Sequence, residues 1–115
     1  MSEAKWNKVN ISNYEFTLRV SCFCPQEVAG PHVIKVVDDT IAFVNDRPYD
    51  PLTTGQLMTI NELFTFIETG ISRNPYKKTL EFNSTYGYPQ YVFFDYSKTM
   101  VDEEIGYHVS GFKVN

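Results

Sequence analysis

At 115 residues the chain has the size of one domain and can bury enough apolar surface to fold without metal or disulfide staples, so a single domain over 1–115 is expected. Its formal net charge of −4, with no basic run longer than Lys77-Lys78, leaves no electrostatic footprint for phosphate backbones and excludes nucleic acid as the expected partner. Hydrophobic residues make up 43% and aromatics 16%, through nine Phe and eight Tyr, so large rings must either fill a core or coat a surface.

No apolar run approaches the roughly 18 to 20 residues of a membrane helix, so no transmembrane segment is expected. The opening Met-Ser-Glu-Ala-Lys-Trp lacks the apolar core of a signal peptide, and taken as it stands the chain reads as cytoplasmic. In residues 3–12, Trp6, Val9 and Ile11 recur among Lys, Asn and Glu, a pattern too short for a free helix but sufficient for a short N-terminal helix or turn docked by Trp6.

From Tyr14 to Cys24 apolar and polar residues alternate more cleanly than anywhere else in the chain, which predicts a half-buried strand. Phe16, Leu18, Val20, Cys22 and Cys24 share one face, and Glu15, Thr17, Arg19 and Ser21 the other, with Phe23 breaking the polar face. Pro25 ends it. His32 to Val37 and Thr40 to Val44 are rich in β-branched residues and flank Asp38-Asp39, the pattern of a hairpin with a tight acidic turn. Asn45 to Gly55, with two prolines and adjacent threonines, reads as an exposed loop.

Thr59-Ile60-Asn61-Glu62 has the spacing of a capping box, and Ile60, Leu63, Phe64, Ile67 and Ile71 then recur at helical spacing. A main helix over about 59–72 follows, with Gly70 and Asn74-Pro75 available to end it. Burial of five large side chains contributes roughly 8 to 15 kcal/mol before entropy is subtracted.

Lys78 to Asn83 alternates as a second half-buried strand, and Ser84 to Pro89 forms a turn carrying Tyr86 and Tyr88. Gln90 to Tyr96 is apolar on both faces, and Tyr107 to Val114 is a last strand interrupted by Gly111. The order predicts a two-layer α+β domain: an antiparallel sheet of about five or six strands packed by one main helix, with a short N-terminal helix.

The Tyr14-Glu15-Phe16 opening, Cys22-Phe23-Cys24-Pro25, the Leu63-Phe64 helix, Tyr86-Gly87-Tyr88-Pro89, Asp95 and Asp102-Glu103-Glu104 before Tyr107 and Val109 together resemble, with Trp6, a bacterial family of unknown function numbered 6174. The resemblance spans nearly the whole chain and implies no activity, cofactor or catalytic residue. It does imply an exported or envelope-anchored setting, against the cytoplasmic reading of the chain's start.

Candidate sites are few. Cys22 and Cys24 on one strand face have Cβ atoms about 6 to 7 Å apart, beyond the roughly 3.5 to 4.5 Å of a disulfide, which favours buried thiols over a redox pair or half a thiolate metal site. A nucleophilic thiol needs a basic neighbour, and the chain offers only His32 and His108. Asp95, Asp102, Glu103 and Glu104 offer oxygen ligands to a cation but lack EF-hand spacing, and acidic turns are ordinarily solvated.

If Val92, Phe94 and Tyr96 face the core, Tyr91 and Phe93 point away from it, as Phe23 does. Such a face is covered by the N-terminal segment, paired with another subunit, or used to hold a partner. The expected function is therefore a non-enzymatic binding or interaction domain. Phe23, Tyr86, Tyr88, Tyr91 and Phe93 are its partner-face candidates, a protein, a peptide or a second copy its partner, and no cofactor is implied. The alternatives are a thiol-based redox protein using Cys22 and Cys24, and a cation-binding module at the acidic hairpin.

Overall fold

The computed structural model describes residues 2–21, 29–50, 57–96 and 104–115. In chain order these form α1 (Ser2–Val9), β1 (Tyr14–Ser21), β2 (His32–Val37), β3 (Thr40–Val44), β4 (Arg47–Pro48), α2 (Ile60–Ser72), β5 (Lys77–Phe82), β6 (Pro89–Asp95) and β7 (Glu104–Val114). The strands make one sheet in the order β4-β3-β2-β1-β7-β6-β5, with antiparallel pairing at every step. Two meanders, β1 to β4 and β5 to β7, are thus joined where the first strand lies beside the last.

The sheet is larger than the five or six strands expected, having seven. The extra strand, β4, falls in the stretch read as loop. It pairs Val44 with Arg47 and Phe43 with Pro48 around Asn45 and Asp46, both at positive φ. Two residues are too few to show a period of two, so this strand leaves no alternation to read. The β2–β3 hairpin turns at Asp38 and Asp39, with φ of 53° and 62°, the left-handed pair that a two-residue hairpin requires.

Both described helices lie on one face of the sheet. Phe66 of α2 packs edge-on to Tyr107 of β7 at 5.1 Å, and Trp6 of α1 packs edge-on to Tyr14 of β1 at 5.4 Å. Register places Val20, Tyr107 and Val92 on that inner face, together with Leu18 and Val109. The alternation read from β1 holds there: Tyr14, Phe16 and Leu18 are wholly buried.

Trp6 fastens α1 as expected. Its ring also meets Phe112 and Tyr88, and its Nε1 donates to Asn61 Oδ1 of α2 at 2.7 Å. Phe112 reaches this cluster because β7 carries a bulge. Glu15 pairs with Lys113 and Thr17 with Ser110, so two residues of β7 stand opposite Phe16 alone. Gly111, at φ 61°, supplies the left-handed residue that such a bulge uses.

The capping box forms as its spacing predicts: Glu62 N donates to Thr59 Oγ1, and Thr59 N donates to Glu62 Oε1. Tyr14 Oη accepts from Ile60 N at 2.9 Å, tying the helix start to β1. Desolvation raises the Tyr14 pKa well above the usual tyrosine value, only partly offset by that backbone hydrogen bond, so it stays a neutral phenol.

Two expectations about α2 need correction. Gly70 does not end the helix; it sits inside it at the closest approach to β6, where an added Cβ would lie 2.6 Å from Phe94 Cε2. Ile71, placed on the buried stripe, is 42% exposed, and the buried positions are Ile60, Leu63, Phe64, Ile67 and Gly70.

Because Phe94 is wholly buried and has nowhere to retreat, Gly70→Ala should lower the unfolding free energy by about 1 to 3 kcal/mol, the scale of overpacking. Chemical denaturation measures this. A neutral or stabilising effect, as expected from helix propensity alone, would show that α2 does not approach the sheet this closely.

Candidate functional site

The sheet's second face carries no helix among the described residues. Register lays it out in rows. One row runs Arg19, His108, Tyr91, Glu81, and the next Ser21, Gly106, Phe93, Thr79. Tyr91 lies 4.3 Å from the His108 ring and is stacked 6.4 Å from Phe93, while the Phe93 ring lies beside Gly106. An added Cβ at 106 would lie 3.3 Å from Val92 O and 3.4 Å from Phe93 Cδ1, so the edge of the Phe93 ring passes close to the glycine. Tyr91 and Phe93 are half-buried as a result.

Further along the same face, Lys35 holds its ammonium 5.9 Å from the centre of the Phe43 ring. Val33, Val37 and Phe43 are each about 40% exposed. The faces deduced for Tyr91 and Phe93 are therefore as the alternation implies. The N-terminal segment, one of the covers considered, lies elsewhere: α1 packs on the inner face.

Tyr86 and Tyr88 belong to that other side. Asn83 organises their turn, its Oδ1 accepting from the backbone of Thr85 and Tyr86, and Gly87 takes φ 86°. Tyr88 is buried and stacks on Phe112 at 4.4 Å, while Tyr86 contacts Phe112 from the rim at 5.4 Å. These tyrosines complete the Trp6 cluster and do not join Tyr91 and Phe93. Phe23 lies outside the described residues, as do Cys22 and Cys24.

Of the acidic candidates, Asp102 and Glu103 also lie outside the described residues. Asp95 is buried at the end of β6, opposite Glu104 of β7 and Lys77 of β5. Among the described residues no three His, Cys, Asp or Glu side chains converge as metal ligands would. His32 is buried at the start of β2, whereas His108 stands on the outer face.

Among the described residues the helix side holds a polar and an apolar concavity. One of about 630 Å³ is lined by Asp39, Thr40, Tyr49, Asn61 and Glu62 near the start of α2. The backbone donors at this helix start are engaged, Ile60 N with Tyr14 Oη and Glu62 N with Thr59 Oγ1. The other, about 320 Å³, opens between α2 and the edge strand β5. It is walled by Phe64, Ile67, Ile71, Leu80 and Phe82, with Glu3 and Glu68 beside them. Phe64 and Phe82 stack nearly parallel at 6.1 Å. No sequence pattern marks this cleft, because Leu80 and Phe82 read only as the inner face of a strand.

The Glu3 carboxyl has its pKa raised above 4.5, first by a hydrogen bond with Glu68, then by burial, then by the neighbouring negative charge. A carboxyl whose folded pKa lies above its unfolded value binds its proton more tightly when folded. The stabilisation is complete below the unfolded value near 4.5 and is lost as pH rises through the raised one. Glu68→Gln should therefore stabilise the protein at pH 7 by about 0.5 kcal/mol or less, the scale of solvent-screened charges, and have no effect at about pH 4. Thermal melts across that range test it, and a benefit independent of pH would contradict the pairing.

Among the described residues no helix is long and apolar enough to cross a membrane. No curated protein and no solved structure shows a significant match to the chain. A model of one family matches residues 1–114, nearly the whole sequence, and by that match the chain belongs to the family of unknown function DUF6174.

Proposed function

We propose that this is a non-enzymatic interaction domain of an exported bacterial protein, and that it docks a partner protein on the outer face of its sheet, which carries no helix among the described residues. One observation carries the reading: both described helices pack on the other face, while on this one Tyr91 stacks with Phe93 and meets the His108 ring. Rings already held by their neighbours lose little freedom when a partner covers them, so more of the contact energy appears as affinity. The surrounding Arg19, Lys35, Glu15 and Glu81 supply charges of both signs, which suits a mixed protein surface and not a polyanion. The exported setting rests on the family resemblance.

A photo-crosslinking amino acid placed at Phe43 or Tyr91 in the source cell should yield a discrete adduct with another protein. The same residue at Thr65, exposed on α2, should not. With the captured partner purified, Phe93→Ala should weaken binding about tenfold or more, as central aromatic contacts do. Adducts of equal yield from position 65, or none from 43 and 91, would remove the outer face as the docking surface. An adduct between two copies of the chain would make it a self-association surface instead.

A further inference from the structure

We propose that the cleft between α2 and β5 binds a small amphipathic amine, its apolar body against Phe64, Leu80 and Phe82 and its ammonium group on the carboxyls of Glu3 and Glu68. This site lies on the helix side of the sheet and does not depend on the outer-face reading. Its volume of about 320 Å³ falls at the lower end of the range of about 300 to 1,000 Å³ typical of small-molecule pockets, and its walls are carbon. Ile71, 42% exposed at the mouth, is an apolar side chain that the fold leaves uncovered.

The charge of the occupant follows from the acids. Glu3 comes from α1 and Glu68 from α2, and the fold brings both to the lining of one largely apolar cleft. Two carboxylates beside one apolar wall repel each other unless a cation joins them. An ammonium group presents three donors on a single charge and can serve both. A hydrated metal ion fits less well, since it asks for six or more oxygen ligands and would gain nothing from Phe64 and Phe82. A fatty acid would add a third negative charge, and a neutral alcohol would leave the pair as it is.

Calorimetric titration of the intact protein at pH 7 with butylamine, hexylamine and octylamine, and with hexanol and hexanoate, tests this. Binding should be saturable and tighten about fourfold per methylene until the cleft is full. Hexanol should bind at least tenfold more weakly than hexylamine, and hexanoate not at all. Glu3→Gln and Glu68→Gln should each weaken hexylamine about tenfold and leave hexanol unchanged, whereas Leu80→Ala should weaken both. Glu68 is a surface position, so folding of its variant is secure, and methyl NMR shifts of Ile67, Ile71 and Leu80 locate the ligand. Equal affinity for amine and alcohol, unchanged hexylamine affinity in Glu68→Gln, shifts confined to other residues, or no saturable binding would each overturn the proposal.

Discussion

The pairing of β1 with β7 is the constraint on which the rest of the structure depends. These strands come from opposite ends of the chain, and each meander is only half a sheet without the other. Joined, they place Leu18 beside Val109 and Val20 beside Tyr107, continuing the apolar inner surface from β2 through β6. Such a contact between distant segments carries a loop-closure cost that local turns do not, and it must be repaid by burial across the seam. Tyr14, Phe16 and Leu18, with no exposed surface, are where that repayment is concentrated.

The seam also fixes where the helices go. Gly111 bulges β7 so that Phe112 turns inward, and Trp6, Tyr14 and Tyr88 close around it. Trp6 then reaches Asn61, and Tyr14 reaches the backbone of Ile60, so the start of α2 is held over β1. Further along, Gly70 brings the helix down onto Phe94 of β6. A helix pinned over β1 at one end and β6 at the other meets β5 along its flank, where Phe64 stacks on Phe82. Leu80 and Phe82 are left half-covered, which is the physical origin of the apolar cleft.

Much of this was legible from periodicity. The alternation in β1, the helical stripe behind the Thr59–Glu62 box and the placement of Tyr91 opposite Phe94 all follow from local geometry, which two or three neighbouring residues suffice to specify. What escaped was set by tertiary contact. Gly70 and Gly111 look like breakers in a single sequence, yet one marks a close approach and the other a bulge, and only the partner strand distinguishes these uses. In the sequence Tyr86 and Tyr88 read as partner-face candidates beside Tyr91 and Phe93, since a tyrosine pairs an apolar ring with a polar tip. The turn at Asn83 and Gly87 sends the first two to the opposite side. Ile71 fits the helical stripe by spacing, but nothing in its own segment reveals that α2 passes over β6 and meets β5 along its flank.

β6 carries rings to both faces of the sheet with alternate side chains. Phe94 lies beneath Gly70 on the inner face, and Phe93, one residue earlier, lies beside Gly106 on the outer one. Each ring passes close to a glycine, one in the overlying α2 and one in the neighbouring strand β7, so β6 is held by the helix above it and by its partner strand beside it. A strand held in this way resists sliding, because a shift of one residue would drive Phe93 into the helix and expose Phe94. That resistance keeps Tyr91 and His108 in register as a stable platform. β5, paired on one side only among the described residues, has no such grip, and the flank of the molecule where the cleft opens is the one with more freedom to adjust to an occupant.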